Sequence, residues 1–208
     1  MATGFVLRPA AKSLKIILFF MRKFLIFIWE ITKVVAISLA IILPVRYFLI
    51  QPFYVKGASM EPNFHDHEYL IIDELSYRFT PPERGQVIVF RYPRNPQEYF
   101  IKRVIGLPGE SIQIKDGQIN IFNEENPTGL VLNEEYLPED LTTFNNSEEK
   151  ITIGSDEYYV LGDNRNASKD SRSFGPVHKS FITGKILFRG WPLDKVMVFN
   201  KDYWPQYN

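Results

Sequence analysis

Hydrophobic and polar positions divide the chain near residue 50. Residues 14–29 are strongly apolar, but Arg22 and Lys23 interrupt them near the middle. Each half is shorter than the roughly 20 apolar residues that a bilayer crossing needs. The pattern predicts an interfacial helix or the first part of a longer one. A separate membrane pass, giving a hairpin, would bury the Arg-Lys pair in hydrocarbon at a cost of several kcal/mol. Residues 34–50 are apolar almost throughout and predict the transmembrane anchor. Pro44 kinks it, which membrane helices tolerate. Arg46 can snorkel to the headgroups, and Tyr47 is an interface anchor.

After Pro52 the period changes. Residues 68–75, 86–92, 99–106 and 111–115 are short runs rich in Ile, Val, Tyr and Phe, and they predict strands. Prolines 81, 82, 93 and 96 break the runs. Asp116-Gly117 between Ile114 and Ile119 is a two-residue hairpin signal. Residues 123–150 predict an exposed, loop-rich insertion with one short apolar patch at 130–132. Strand character returns at 158–161 and 182–189. The expected fold is mainly β. Residues 1–33 form a cytoplasmic or interfacial segment and residues 34–50 a transmembrane helix. Residues 51–208 form a single all-β catalytic domain of short, twisted antiparallel strands.

Charge adds orientation. Arg8, Lys12, Lys15, Arg22 and Lys23 precede the span, opposed by Glu30. The positive-inside tendency then puts the N-terminus in the cytoplasm and the β domain outside. The 24 basic and 24 acidic side chains balance, which points away from nucleic acid. Without cysteine there is no disulfide framework, thiol nucleophile or thiolate metal site.

Candidate chemistry starts at Gly57-Ala58-Ser59-Met60-Glu61-Pro62. Ser59 read alone is an ordinary turn serine. As a nucleophile it needs a base, and His65, His67 and His178 suggest no triad. His65-Asp66-His67 has no further residue at metal-ligand spacing and reads as a turn. Residues 162–175 lack the ligand pattern of a calcium loop. The favoured base is Lys102. Strand alternation separates it from Arg103, but both faces are partly apolar, so alternation does not choose between them. Chemistry does, since a desolvated lysine loses its proton and an arginine does not.

Four blocks then carry a resemblance. They are Ser59-Met60-x-Pro62, Gly85 to Phe90, Lys102 to Glu110, and Gly162-Asp163-Asn164-Arg165-Asn166-Ala167-Ser168-Lys169-Asp170-Ser171-Arg172. In this order behind an anchor, the chain resembles bacterial type I signal peptidases. The resemblance implies a membrane-anchored serine endopeptidase with a Ser–Lys dyad. Such an enzyme cleaves signal peptides from exported preproteins after a small-x-small motif, at the outer face of the cytoplasmic membrane. Ser59 is then the nucleophile and Lys102 the general base. Ser168 orients the amine, Asp170 and Arg172 form a supporting ion pair, and Asp163 and Arg165 brace the same loop. Gly57 stands where some members carry a second oxyanion donor, and Gln86 replaces an acid. Matching positions make Phe53, Val55, Met60, Phe64, Phe100 and Ile101 the expected substrate pocket. No cofactor or metal is implied. The implied partners are signal peptides, membrane lipid and a neighbouring secretion translocase. Two other readings are a self-cleaving repressor, which the apolar anchor opposes, and a non-catalytic membrane-anchored binding protein on the same scaffold. The joint presence of Ser59, Lys102 and Ser168 opposes the second.

Overall fold

The structure, a computed structural model, describes residues 10–48, 50–139, 141–145, 147–205 and 207. Arg8 lies outside the described residues, as do the side chains of Lys12, Lys15, Arg46 and Tyr47. By contacts the chain falls into two units, the second beginning at Phe48.

The described part of the first unit is helical throughout and belongs to α1, Ala10–Phe48, whose last residue falls in the second unit. It runs unbroken through Arg22-Lys23 and through Pro44, so there is no turn for a hairpin and no separate interfacial helix. The sequence explains the continuity: residues 14–33 contain neither Gly nor Pro, and Lys33 pairs with Glu30 one turn back at 2.7 Å. The stretch apolar enough to cross a membrane is Ile17–Pro44, 28 residues, and its side chains are exposed. It starts well before residue 34, where the sequence pattern put the span. At 1.5 Å per residue it is about 42 Å long, more than the roughly 30 Å of a hydrocarbon core.

The second unit is built on antiparallel pairing throughout. Its larger sheet contains β1 (Ile50–Tyr54), β2 (Tyr69–Asp73), β3 (Val87–Tyr92), β4 (Asn95–Gly106), β9 (Glu157–Leu161), β10 (Val177–His178), β11 (Ile182–Trp191) and β12 (Met197–Val198). Their order is β1-β2-β11-β3-β4-β9-β10, with β12 on β11. The smaller sheet has the order β7-β6-β5-β8, from β5 (Ser111–Lys115), β6 (Gln118–Phe122), β7 (Leu130–Val131) and β8 (Ile151–Thr152). Asp116 and Gly117 both take positive φ, as the β5–β6 hairpin turn requires.

Strand β3 is the spine of the core. Val87 and Val89 pack into a cluster with Met60, Phe64, Leu70, Ile72, Ile186, Phe199 and Trp204. Ile88 and Phe90 pack into another with Val104, Tyr158, Val160 and Val177. Burial on both faces is why β3 reads as a continuous apolar run rather than an alternating one. A third cluster fills the smaller sheet around Ile112, Ile114, Ile119 and Ile121. The described residues of the 123–150 segment carry β7 and are otherwise irregular, but they are not all exposed, because Leu132 and Thr143 are buried.

Candidate active site

Ser59 sits in a tight turn after β1. Asn63 and Phe64 both donate backbone N–H bonds to the Met60 carbonyl, and Glu61 donates to Ala58. Met60 and Phe64 anchor the turn from below, fully buried in the core beneath β2 and β3. Lys102 lies on the facing strand, β4, at the register of Ile88 on β3. Its Nζ is 2.6 Å from Ser59 Oγ and 2.7 Å from the Ile101 carbonyl oxygen. The lysine is 3% exposed. Burial pushes its amine down to about 8 from the ordinary 10.5, against the pull of the Asp170 and Asp163 carboxylates.

Arg103, the next residue, points the other way and is also buried. Its Nε and Nη2 grip both oxygens of Asp163 at 2.9 and 2.6 Å, and Nη1 donates to the Gly85 carbonyl. Asp170 is equally enclosed. It takes two bonds from Arg172, each 2.8 Å, accepts the Gly162 N–H, and caps α2, Ser171–Phe174. The two acids that face Lys102 are thus each held by an arginine.

The loop from Gly162 to Arg172 locks onto the serine turn. The Asn164 N–H donates to the Ser59 carbonyl, and its side-chain amide donates to the Ala58 carbonyl, at 3.1 and 3.0 Å. Gly162 has to be glycine, since a Cβ there would collide with Ser168 Oγ and the Ser59 carbonyl oxygen. Ser168 Oγ is buried and has no hydrogen-bond partner among the described residues. The expected Ser168–Lys102 hydrogen bond is therefore not formed; the amine donates to Ser59 and Ile101 instead. Arg165 Nε donates to the Gly162 carbonyl, and its own carbonyl accepts from Arg172. Its ion-pair partner is Glu134, from the 123–150 insertion. Tyr136 of the same insertion lies 3.8 Å under the Arg103 guanidinium.

These positions can be compared with known proteins. The family described as signal peptidase, peptidase S26, matches residues 28–191. The chain belongs to this family. It is 37% identical over 173 residues to signal peptidase I of Leptolyngbya laminosa, covering 79% of this chain and 80% of the relative. A probable signal peptidase I-2 of Synechocystis is 34% identical over 176 residues, covering 82% and 76%. Signal peptidase IB of Staphylococcus aureus is 32% identical over 172 residues, covering 77% and 88%. A crystal structure of signal peptidase I from Enterococcus faecalis is 32% identical. It covers 51% of this chain and 97% of that one, with a TM-score of 0.42.

Beside the Ser59–Lys102 pair runs a cleft of about 550 Å³. Phe53, Val55, Phe100 and Ile101 line it, together with Gly57, Ala58 and Ala167. Met60 and Phe64 do not; they are core, and the pocket expectation is corrected for both. Pocket walls and core share the same apolar composition, so residue type did not separate them. Gly57 takes φ +90 and donates its N–H to Asp66 Oδ1 at 2.9 Å. Gln86 binds the Tyr77 hydroxyl and Glu83, away from the cleft.

Proposed function

We propose that this chain is a membrane-anchored signal peptidase that removes N-terminal signal peptides from exported preproteins. The carrying observation is the 2.6 Å contact between Lys102 Nζ and Ser59 Oγ inside an apolar wall. At pH 7 a lysine with a pKa of about 8 is neutral in roughly one molecule in ten. That fraction accepts the Ser59 proton as Oγ attacks the scissile carbonyl. The Ser59 backbone N–H is the proposed first donor to the oxyanion. Gly57 brings no side-chain donor, and its N–H is already engaged by Asp66. As the tetrahedral intermediate collapses, the Lys102 ammonium returns the proton to the leaving amine. Water then attacks the ester and passes its proton to Lys102, Ser59 regains its own, and the signal peptide leaves with a carboxylate.

The substrate is read as an extended strand. β1 ends the larger sheet, and β9 covers β4 only at Arg103–Gly106. Two strand edges therefore flank the cleft, at 53–55 and 99–102, and a peptide laid between them can bond to both. Alternate side chains enter the cleft. Phe53, Val55, Phe100 and Ile101 give it an apolar lining, which suits the small apolar side chains of a small-x-small motif.

The lipid partner is supported by α1 and by a surface of the β unit. Tyr54, Tyr69 and Trp191 stand directly opposite one another across β1, β2 and β11, half-exposed, with Leu193 exposed beyond them. Tyr and Trp favour the membrane–water interface. The basic flank of α1 supports a cytoplasmic N-terminus and a β unit on the outer face of a bacterial inner membrane, beside the secretion translocase.

The test is cleavage of a preprotein by the full chain in detergent, with N-terminal sequencing of the product. Ser59→Ala and Lys102→Arg should each lose about 10³-fold or more in turnover. No cleavage by the wild type would overturn the function. Substantial turnover by folded Lys102→Arg would overturn the base.

A further inference from the structure

Ser59 and Lys102 belong to different segments, and something must hold their atoms at bonding distance. The Ser59 turn is gripped at its front by Asn164, as described above. Its rear is held by Asn63. The Asn63 side-chain amide donates one bond to Asp163 Oδ2 at 2.9 Å and another to the Tyr136 carbonyl at 3.0 Å. Its backbone carbonyl accepts from Arg189 Nη2 at 2.7 Å, and its N–H closes the turn onto Met60. Arg189 is itself a buried cation, 2.9 Å from the Glu68 carboxylate.

The convergence on Asp163 is the informative part. Asp163 Oδ2 accepts from Asn63 and, at 2.6 Å, from Arg103 Nη2. Asn63 is four residues after Ser59, and Arg103 is one residue after Lys102. One fully buried carboxylate therefore ties the serine turn to the lysine strand. The chain residue next to that carboxylate, Asn164, holds the Ser59 carbonyl. The serine turn is fixed at both ends by the dipeptide Asp163-Asn164.

We propose that Asn63 is a positioning residue for the proteolytic reaction, its side-chain amide setting the Ser59–Lys102 separation through Asp163. This rests on the Ser–Lys reading above. Asn63 touches neither reacting atom and does not line the cleft. Its removal should weaken the attack geometry while leaving the substrate walls in place. Misplacement of a reacting atom by about 1 Å can reduce turnover by about 10²-fold.

The experiment compares wild type, Asn63→Leu and Asn63→Ala as full chains in detergent. Preprotein cleavage is measured well below each melting temperature, with rates normalised to folded protein. Leu keeps the branched outline of Asn in a somewhat larger side chain and removes its donors, and Ala removes both donors and bulk. The expected result is a fall in kcat of between about tenfold and about 10²-fold in both variants, with KM within about twofold of wild type. Similar losses in the two identify the hydrogen bonds rather than the volume. Three results overturn the proposal: an unchanged kcat in folded variants, a loss confined to KM, or unfolding of both variants, which would make Asn63 a structural residue only. Lys102→Arg is assayed in parallel. Turnover retained there defeats the dyad reading, whereas loss there with normal Asn63 variants defeats the positioning role alone.

Discussion

Burying Lys102 should destabilise the fold, and Lys102→Met measures by how much. The folded-state pKa of about 8 lies about 2.5 below the ordinary 10.5. The unfolded chain therefore holds this proton more tightly than the folded one. The sign follows. Between pH 8 and 10.5 the unfolded state binds more protons at this site, so stability rises with pH across that window. Below pH 8 both states carry the proton and the full penalty applies, roughly 3 kcal/mol at about 1.4 kcal/mol per pKa step. Methionine keeps the apolar stem and fills similar space without a charge. It gives up the bonds to Ser59 Oγ and the Ile101 carbonyl, each a contribution of about 1 kcal/mol. The net expectation at pH 7 is a variant more stable than wild type by about 1–2 kcal/mol, and catalytically inert. Above pH 10.5 that ranking should reverse, since only the lost bonds remain. The assay is denaturant unfolding of wild type and variant across pH 7 to 11, followed by near-ultraviolet circular dichroism. Taking the difference between the two curves cancels the tyrosines, which also titrate at high pH. A pH-independent difference would refute the reasoning, because it would mean that the Lys102 amine has the same proton affinity folded and unfolded.

Arg172→Gln should move the pH–rate midpoint of preprotein cleavage upward, because an unneutralised Asp170 favours the Lys102 ammonium; a midpoint that stays near that of wild type would refute the coupling. Protease added outside intact spheroplasts should digest the β unit and spare a tag at residue 1, and protection of the β unit would reverse the proposed orientation. Trp191→Ser with Leu193→Ser should lower cleavage several-fold in lipid vesicles and leave it unchanged in detergent, whereas equal activity in vesicles would remove the lipid-facing role of that surface.

Much of the fold was legible in local pattern, and the exceptions share a cause. Strands such as β5 and β6 declare themselves, because alternation and an Asp-Gly turn are local signals. β1 was missed because Ile50 to Tyr54 follows the helix almost without a break and contains Pro52, which only an edge strand accommodates. The continuity of α1 was obscured by Arg22 and Lys23, whose charges argue against burial in lipid but not against helix. At the site, Ser59 and Lys102 came from motif and chemistry. Glu134, Tyr136 and Asn63 did not, since their partners are Arg165, Arg103 and Asp163, tens of residues away in the chain. A buried polar contact of that kind leaves no period. The one available signal was the density of charge itself: Asp163, Arg165, Asp170 and Arg172 crowd one short loop, where opposite signs can pair.

That crowding has a chemical consequence for Lys102. A buried amine beside two carboxylates would ordinarily become a salt bridge, with its proton held too tightly for base catalysis. Here Asp163 is chelated by Arg103 and Asp170 by Arg172, so neither carboxylate forms a direct bond to Nζ. Both still raise the lysine's proton affinity from a distance, but burial outweighs them. Arginine suits this task because its forked donors occupy both oxygens of an acid and its charge cannot be lost. Lysine suits the proposed role of base because its charge can. The adjacency of Lys102 and Arg103 on β4 exploits the difference: strand alternation turns the arginine toward an acid and the lysine toward a serine. Exchanging the two should leave the net charge unchanged and remove both the chelation of Asp163 and the proposed base.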